Sequence, residues 1–284
     1  MTGNLIIDAL ILISILGIFA AVILYYMDKV FYVYEDPKID EIVELLPSAN
    51  CGGCGYAGCR NFAEAIIKAE TLKGFYCPAG GNDGMAAIAA AMGVSAEKVE
   101  PKVAVLRCNG HGGTSQPKVF YDSAMSCAFA NSIYAGENMC PYSCLGCGDC
   151  VSACSFDAIY MDETTKLPVI IEEKCTACGV CAKTCPRQII ELRNKGIKSG
   201  RIYVSFVNKE KGATAKKNCN AACIACTKCV KICEFGAVEI IDNLAYIDYT
   251  KCKLCRKCVT ECPTGAIIEV NFPARKEKTE APIS

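Results

Sequence analysis

Cys144-Leu-Gly-Cys147-Gly-Asp-Cys150-Val-Ser-Ala-Cys154 sets the pattern of this chain, and it returns after twenty residues as Cys175-Thr-Ala-Cys178-Gly-Val-Cys181-Ala-Lys-Thr-Cys185-Pro186. The x2, x2, x3 spacing has a chemical reason. Three cysteines on a tight loop reach three irons of one [4Fe–4S] cube, while the fourth has turned away and reaches the neighbouring cube. Two facing runs therefore predict two clusters with crossed fourth ligands. Cys144, Cys147, Cys150 and Cys185 are expected to hold one, and Cys175, Cys178, Cys181 and Cys154 the other. The pattern occurs again as Cys223-x2-Cys226-x2-Cys229-x3-Cys233 and Cys252-x2-Cys255-x2-Cys258-x3-Cys262-Pro263. By the same rule Cys223, Cys226, Cys229 and Cys262 form one set, and Cys252, Cys255, Cys258 and Cys233 the other. An internal repeat of this kind means two ferredoxin-like modules in tandem.

The 284 residues include 24 cysteines, one histidine and no tryptophan. Disulfide frameworks do not come in regular x2, x2, x3 runs, because bridged partners need separated backbones. Zinc sites take ligands in pairs, often with histidine, and leave no role for a third x2-spaced cysteine. Iron–sulfur ligation in a reducing compartment is the expectation. With 30 basic and 30 acidic residues the net charge is zero, so no global field steers a partner. The stretch from Arg193 to Lys217 is basic, and reads as a solvated linker, or alternatively as a docking patch for an acidic electron carrier. Lys251, Lys253, Arg256 and Lys257 add charge around the last cluster. Nothing points to nucleic acid, since there is no aromatic-studded basic groove.

Leu5 to Tyr26 is one apolar run, long enough at about 1.5 Å per residue to cross a hydrocarbon core of about 30 Å. No basic residue precedes it, which argues against a cleaved leader. Tyr25 and Tyr26 suit the interface, and Lys29 and Lys38 put that flank in the cytoplasm. Residues 35–48 predict an acidic amphipathic helix with Ile39, Ile42, Val43, Leu45 and Leu46 for packing. Then comes Cys51-Gly-Gly-Cys54-Gly-Tyr-Ala-Gly-Cys59, with Cys77-Pro78 further on. That spacing fits a single [4Fe–4S] cluster. Phe62, Ala65, Ile66 and Ala69 mark a helix face between them. Met85 to Met92 reads as a helix, Lys102 to Leu106 as a strand, and Arg201 to Val207 as a strand between modules. The lone His111 is placed in a loop.

Cys108, Cys127, Cys140 and Cys219 fit no cluster spacing. They are read as buried thiols. Two alternatives stay open: a sixth cluster that includes Cys108 and Cys127, and replacement of Cys147 by Cys140. The expected fold class is α+β, with about five [4Fe–4S] clusters. Its divisions are a transmembrane anchor (1–28), a small helical single-cluster domain (34–95), a connecting segment (96–139), a dicluster module (140–194), a basic linker (195–218), a second dicluster module (219–271) and a charged, disordered tail (272–284).

In this order, anchor, Cys51-Gly-Gly-Cys54-Gly-Tyr-Ala-Gly-Cys59, and a tandem opening with Cys140-Pro-Tyr-Ser-Cys144-Leu-Gly-Cys147-Gly-Asp-Cys150, the chain resembles the B subunit of the Rnf complex. That complex is a membrane-bound ferredoxin:NAD+ oxidoreductase coupled to Na+ or H+ transport. The resemblance covers essentially the whole chain. It implies a cell-membrane protein with its iron–sulfur domains in the cytoplasm. Soluble ferredoxin would be the electron donor, and other Rnf subunits would carry the flavins, the nicotinamide site and the ion path. Electrons are expected to enter at the C-terminal module and leave through the single-cluster domain. Two other roles would suit such a chain: a reducing system for a redox-sensing transcription factor, and an anchored polyferredoxin for a hydrogenase or dehydrogenase.

Overall fold

The computed structural model describes residues 5–31, 36–110, 115, 117–119, 126–133, 136–196 and 199–273. His111, the expected disordered tail beyond Pro273, and Lys198 of the basic stretch lie outside the described residues. The chain divides into two compact units, Met1–Glu41 and Ile42–Ser284.

Helix α1 (Leu5–Val30) dominates the first unit. Its stretch Ile7–Val30 has a mean hydropathy of 2.8 with none of it buried inside protein. It is long and apolar enough to cross a membrane. The Ser14 hydroxyl donates to the Leu10 carbonyl at 2.8 Å, so it needs no partner outside the helix. At the C-terminal end the Lys29 ammonium stands 5.3 Å from the Tyr25 ring. Helix α2 (Pro37–Leu45) is shorter than the expected 35–48. Proline suits its first position, where the missing N–H is an orphan anyway, and Pro47 follows its end.

In the second unit, α3 (Cys59–Ala69) buries Phe62, Ala63 and Ile66. Phe62, Tyr56 and Phe75 form a ring cluster with centroids 5.5–6.2 Å apart. The start of α3 is capped from a distance, since the Cys59 N–H donates to Asn50 Oδ1 at 2.8 Å. Helix α4 (Gly81–Met92) begins before the expected Met85 and stops at Gly93. There a left-handed glycine sends its N–H back to Ala89 and Ala90.

The next elements are β1 (Lys102–Leu106), α5 (Cys127–Ile133), α6 (Asp149–Ser152), β2 (Ile159–Met161), β3 (Pro168–Ile170), α7 (Val180–Thr184) and β4 (Ile190–Asn194). They are followed by β5 (Arg201–Val204), α8 (Gly212–Asn218), α9 (Lys228–Ile232), β6 (Val238–Ile241), β7 (Leu244–Ile247), α10 (Lys257–Thr260) and β8 (Ile267–Val270). The strands make four antiparallel pairs: β1–β4, β2–β3, β5–β8 and β6–β7. Each ferredoxin half thus has an inner hairpin and an outer pair. Ala104 sits opposite Leu192 in one outer pair, and Tyr203 opposite Ile268 in the other.

Those outer pairs correct two expectations. The segment 96–139, read as a connector, supplies β1, which completes the outer pair of the first half. The segment 195–218, read as a solvated basic linker, supplies β5 and α8, and β5 lies within the second half rather than between the two. The charge of the stretch from Arg193 to Lys217 is divided: Lys209, Lys211, Lys216 and Lys217 are exposed, as expected, but its arginines are not. Arg193 and Arg201 are buried, with Arg201 paired to Glu172. Arg193 lies 3.4 Å from Glu191, donates to the Ile247 carbonyl at 3.3 Å and sits over the Tyr203 and Tyr246 rings. Lys209 meets Asp242 at 2.9 Å. Near the last cysteine run Arg256 pairs with Glu269, Lys257 with Glu234 and Lys251 with Glu239 and Asp248, so three of the four basic residues expected there have acidic partners.

The halves pack through their outer strands. Val103 and Val105 of β1 share a buried cluster with Tyr203 of β5. Arg107 donates to the Val204 and Phe206 carbonyls, each at 3.4 Å. A soluble fragment starting at residue 96 is therefore expected to load the first module's clusters. The same fragment with Ala104→Pro keeps every cysteine but breaks the β1–β4 ladder and should lose them. Iron content and visible absorbance of the two forms check this, and equal loading would contradict the role of β1.

Candidate iron–sulfur centres

The four x2, x2, x3 runs share one backbone device. In each, both neighbours of the second cysteine lie in the left-handed region: Gly146 and Gly148 around Cys147, Ala177 and Gly179 around Cys178, Ala225 and Thr227 around Cys226, Leu254 and Arg256 around Cys255. The residue three beyond each fourth cysteine does the same: Asp157, Gln188, Gly236 and Gly265. Such alternation curls the chain so that successive N–H groups face the concave side, an arrangement that receives anions. For alanine, leucine, threonine or arginine it costs about 1–2 kcal/mol per residue. Strain repeated at equivalent positions persists only where the surroundings impose it. The third cysteine of each run, Cys150, Cys181, Cys229 or Cys258, then sits buried in the short helix that follows.

Three cavities beside these loops are lined by cysteines. One is lined by Cys252, Cys255, Cys258 and, from the other run, Cys233. In the small helical domain another is lined by Cys51, Cys54, Cys59 and Cys77. A third is lined by Cys144, Cys150 and Cys185, together with Cys127, which the spacing did not use. Among the described residues no three His, Cys, Asp or Glu side chains close tightly enough to hold a single metal ion. Four thiols around one enclosed cavity, as at Cys233, Cys252, Cys255 and Cys258 and at Cys51, Cys54, Cys59 and Cys77, are the donor set that a cubane takes. Backbone N–H groups also point at the sulfurs, from Gly80 to Cys77 at 3.3 Å, Ala237 to Cys233 at 3.4 Å and Ala245 to Cys223 at 3.5 Å.

Burial, and then neighbouring thiols, push Cys181 and Cys258 up to about 12 and Cys150 and Cys229 up to about 11. Cys262 goes the other way. Burial raises it, but N–H groups of Thr264, Ile267 and Ala266 outweigh that and bring it below the usual thiol value. Those donors are the groups that stabilise a sulfur carrying negative charge.

Two features were not legible in the spacing. Asp149, inside the first run, accepts from the Cys127 and Ala128 N–H groups at 2.9 and 3.2 Å and so caps α5. That cap places Cys127 beside Cys147 and Cys150. The second feature is a close approach at Gly53. A β-carbon built there would stand 2.7 Å from Cys178 Cβ and 2.8 Å from the Cys178 carbonyl oxygen. The single-cluster loop is thus pressed against the Cys175–Cys181 loop, with room for glycine alone.

Segment 46–73 matches a family described as an Fe-S cluster domain, and 143–189 one described as a 4Fe-4S dicluster domain. Segments 220–236 and 245–268 each match a 4Fe-4S binding domain. The B subunit of the Na+-translocating ferredoxin:NAD+ oxidoreductase complex of Acetobacterium woodii is 40% identical over 86% of this chain and 73% of its own length. The B subunit of the ion-translocating oxidoreductase complex of Methanosarcina acetivorans is 35% identical over 88% of this chain and 93% of its own. The chain belongs to the family of Rnf B subunits. A third relative, from Clostridium ljungdahlii, is 35% identical over 88% of this chain and 86% of its own, and is named proton-translocating. As a member of that family the chain is an iron–sulfur electron-transfer component of the Rnf complex.

Gly53→Ala tests the close approach. Cys178 meets the new methyl with backbone and Cβ atoms, so the variant should lose about 1–3 kcal/mol through overpacking. At Gly84, inside α4, the equivalent methyl meets nothing within 4 Å. Gly84→Ala is expected to raise the thermal midpoint by removing a helix-interior glycine, worth about 0.5–1 kcal/mol. Thermal unfolding of both variants, followed at the cluster absorbance, checks the opposite signs.

Proposed function

We propose that this chain relays electrons from reduced ferredoxin to the other subunits of an ion-translocating ferredoxin:NAD+ oxidoreductase. Those subunits would carry the flavins, the nicotinamide site and the path for Na+ or H+. Helix α1 would anchor the chain, with Lys29 and Lys38 keeping the cluster domains at the cytoplasmic face. The relation to Rnf B subunits over most of the chain supports this reading. The observation that carries it is the crossed cavity, in which Cys233 joins Cys252, Cys255 and Cys258.

A bound [4Fe–4S] cluster supplies the chemistry, taking up and giving up one electron at a time. The residues hold, space and insulate such groups. Cys51, Cys54, Cys59 and Cys77 are the proposed ligands of the single cluster. Cys175, Cys178, Cys181 and Cys154 form a second set, Cys223, Cys226, Cys229 and Cys262 a third, and Cys252, Cys255, Cys258 and Cys233 a fourth. Cys147, Cys150 and Cys185 belong to a fifth, for whose last position Cys144 and Cys127 compete. The contact of Gly53 with Cys178 supports an exit from the first ferredoxin module into the single-cluster domain. Buried carbon around the third cysteines keeps water from the sulfurs, which lowers the local dielectric and so tunes the potential.

The crossing is testable by counting iron. Cys262→Ala should lose about four irons per chain, and adding Cys223→Ala should lose no more, because both remove one cluster. Adding Cys252→Ala instead should take about four further irons. The reverse pattern would contradict crossed ligation. For the relay itself, Cys54→Ala in the assembled complex should abolish ferredoxin-dependent NAD+ reduction while flavin content stays at the wild-type level. An unchanged rate would remove the single-cluster domain from the path.

A further inference from the structure

Three thiols that the ferredoxin spacing leaves over meet in one buried place. Cys108 follows β1, Cys140 stands four residues before the first run, and Cys219 closes α8. They line one cavity with Arg107, Gly110 and Asn208. Their exposures are 7%, 3% and 2%. Gly110 leaves the space between two of them open, since a β-carbon there would stand 3.5 Å from Cys219 Sγ and 3.7 Å from Cys108 Sγ. None of the three is in a disulfide.

The surroundings suit an anionic sulfur-ligated group. The Cys144 N–H donates to Cys108 Sγ at 3.4 Å, and the Gly110 and Tyr142 N–H groups donate to Cys108 and Cys140. Asn208, wholly buried, presents Nδ2 3.7 Å from Cys140 Sγ and is held there by Glu210 Oε2 at 2.8 Å. The Arg187 guanidinium interacts electrostatically with Cys140 and supplies the nearby positive charge. N–H donors to sulfur and a nearby cation are the levers that stabilise a reducible cluster.

The neighbouring cavity has the opposite imbalance. Cys127, Cys144, Cys150 and Cys185 line it, and Cys147 hydrogen-bonds with Cys127, so five thiols gather where a cubane takes four. Cys144 is the one at the boundary. Its side chain lines the first cavity, while its N–H touches the sulfur of Cys108 in the second.

We propose that Cys108, Cys140, Cys144 and Cys219 hold a further [4Fe–4S] cluster, and that Cys127 takes the place of Cys144 beside Cys147, Cys150 and Cys185. All 24 cysteines then fall into six sets of four without remainder. The position gives this cluster a task. Cys108, Cys140 and Cys144 come from the first ferredoxin half, whereas Cys219 and Asn208 lead into the second. The site therefore bridges the Cys223 set and the Cys147 set, accepting one electron from the former and handing the same electron to the latter. No proton and no co-reactant is needed. Resting on the electron-relay reading, the inference makes that relay one line, from the Cys252 set through Cys223, the bridge, Cys147 and Cys175 to the Cys51 set.

The test uses the full chain in detergent under anaerobic conditions, with iron and acid-labile sulfide measured per chain and the intact mass read by native mass spectrometry. Wild type is expected to hold about twenty-four irons, Cys219→Ala and Cys127→Ala about twenty each, and the double variant about sixteen. Wild type at about twenty, with no loss in Cys219→Ala, would overturn the bridging cluster and leave the relay reading standing. Loss in Cys219→Ala without loss in Cys127→Ala would overturn the exchange at Cys144. If a variant does not fold, the wild-type mass still decides, because five and six clusters differ by one Fe4S4 unit. A chain with no iron at all would sink the relay reading as well.

Discussion

Wrapping short loops around thiolate sets is the constraint on which the second unit depends. Loops of this kind have little apolar surface of their own, and their left-handed residues are costly when nothing holds them. The buried clusters accordingly mix aliphatic side chains with sulfur: Cys229 and Cys258 sit among Ile202, Val204, Val238 and Ile267, and Cys150 and Cys181 among Ala104, Ile159 and Ile190. Where metal ligands take the place of a hydrocarbon core, binding free energy is folding free energy. Loss of one ligand then costs structure as well as redox function.

The outer strands solve a second problem. Short turns join the inner hairpins, but the ends of each cysteine run would be left as unpaired edges. β1 and β5 come from well upstream to cover them, and having done so they give the two halves a shared face at Val103, Val105 and Tyr203. Arginines at this face are used as packing and hydrogen-bonding groups. Arg107 and Arg193 lie against Tyr246 and donate to carbonyls of the second half, which fixes the halves in one register. Two arginines of a stretch that reads as solvated, Arg193 and Arg201, are thereby buried, while Lys209, Lys211, Lys216 and Lys217 stay exposed.

Much of this was legible because ligand spacing is a local property. The four x2, x2, x3 runs and the x2, x4, x17 run are visible in the spacing alone, and the apolar run of α1 in length and hydropathy. What was not legible was non-local. Strand 102–106 was recognisable as a strand, but nothing within five residues says that Ile190–Asn194 is its partner. Charge counts could not tell the exposed Lys209 from the buried Arg193, because burial depends on what the fold brings against each. The meeting of Cys108, Cys140 and Cys219 needs contacts across about a hundred residues, and the cap from Asp149 to Cys127 spans a stretch with no spacing rule. The need for glycine at position 53 comes from its neighbour Cys178, which no local pattern supplies.

If this chain is a conduit for electrons from ferredoxin, its clusters must change oxidation state as fast as the complex turns over. Mössbauer spectroscopy of the 57Fe-enriched complex, frozen before and after mixing with reduced ferredoxin, addresses that. The oxidised sample should show the doublets of [4Fe–4S]2+ clusters, and mixing should convert a large part of that absorption to the reduced form within the turnover time. A spectrum that ferredoxin leaves unchanged, although dithionite reduces it fully, would contradict a relay fed by ferredoxin.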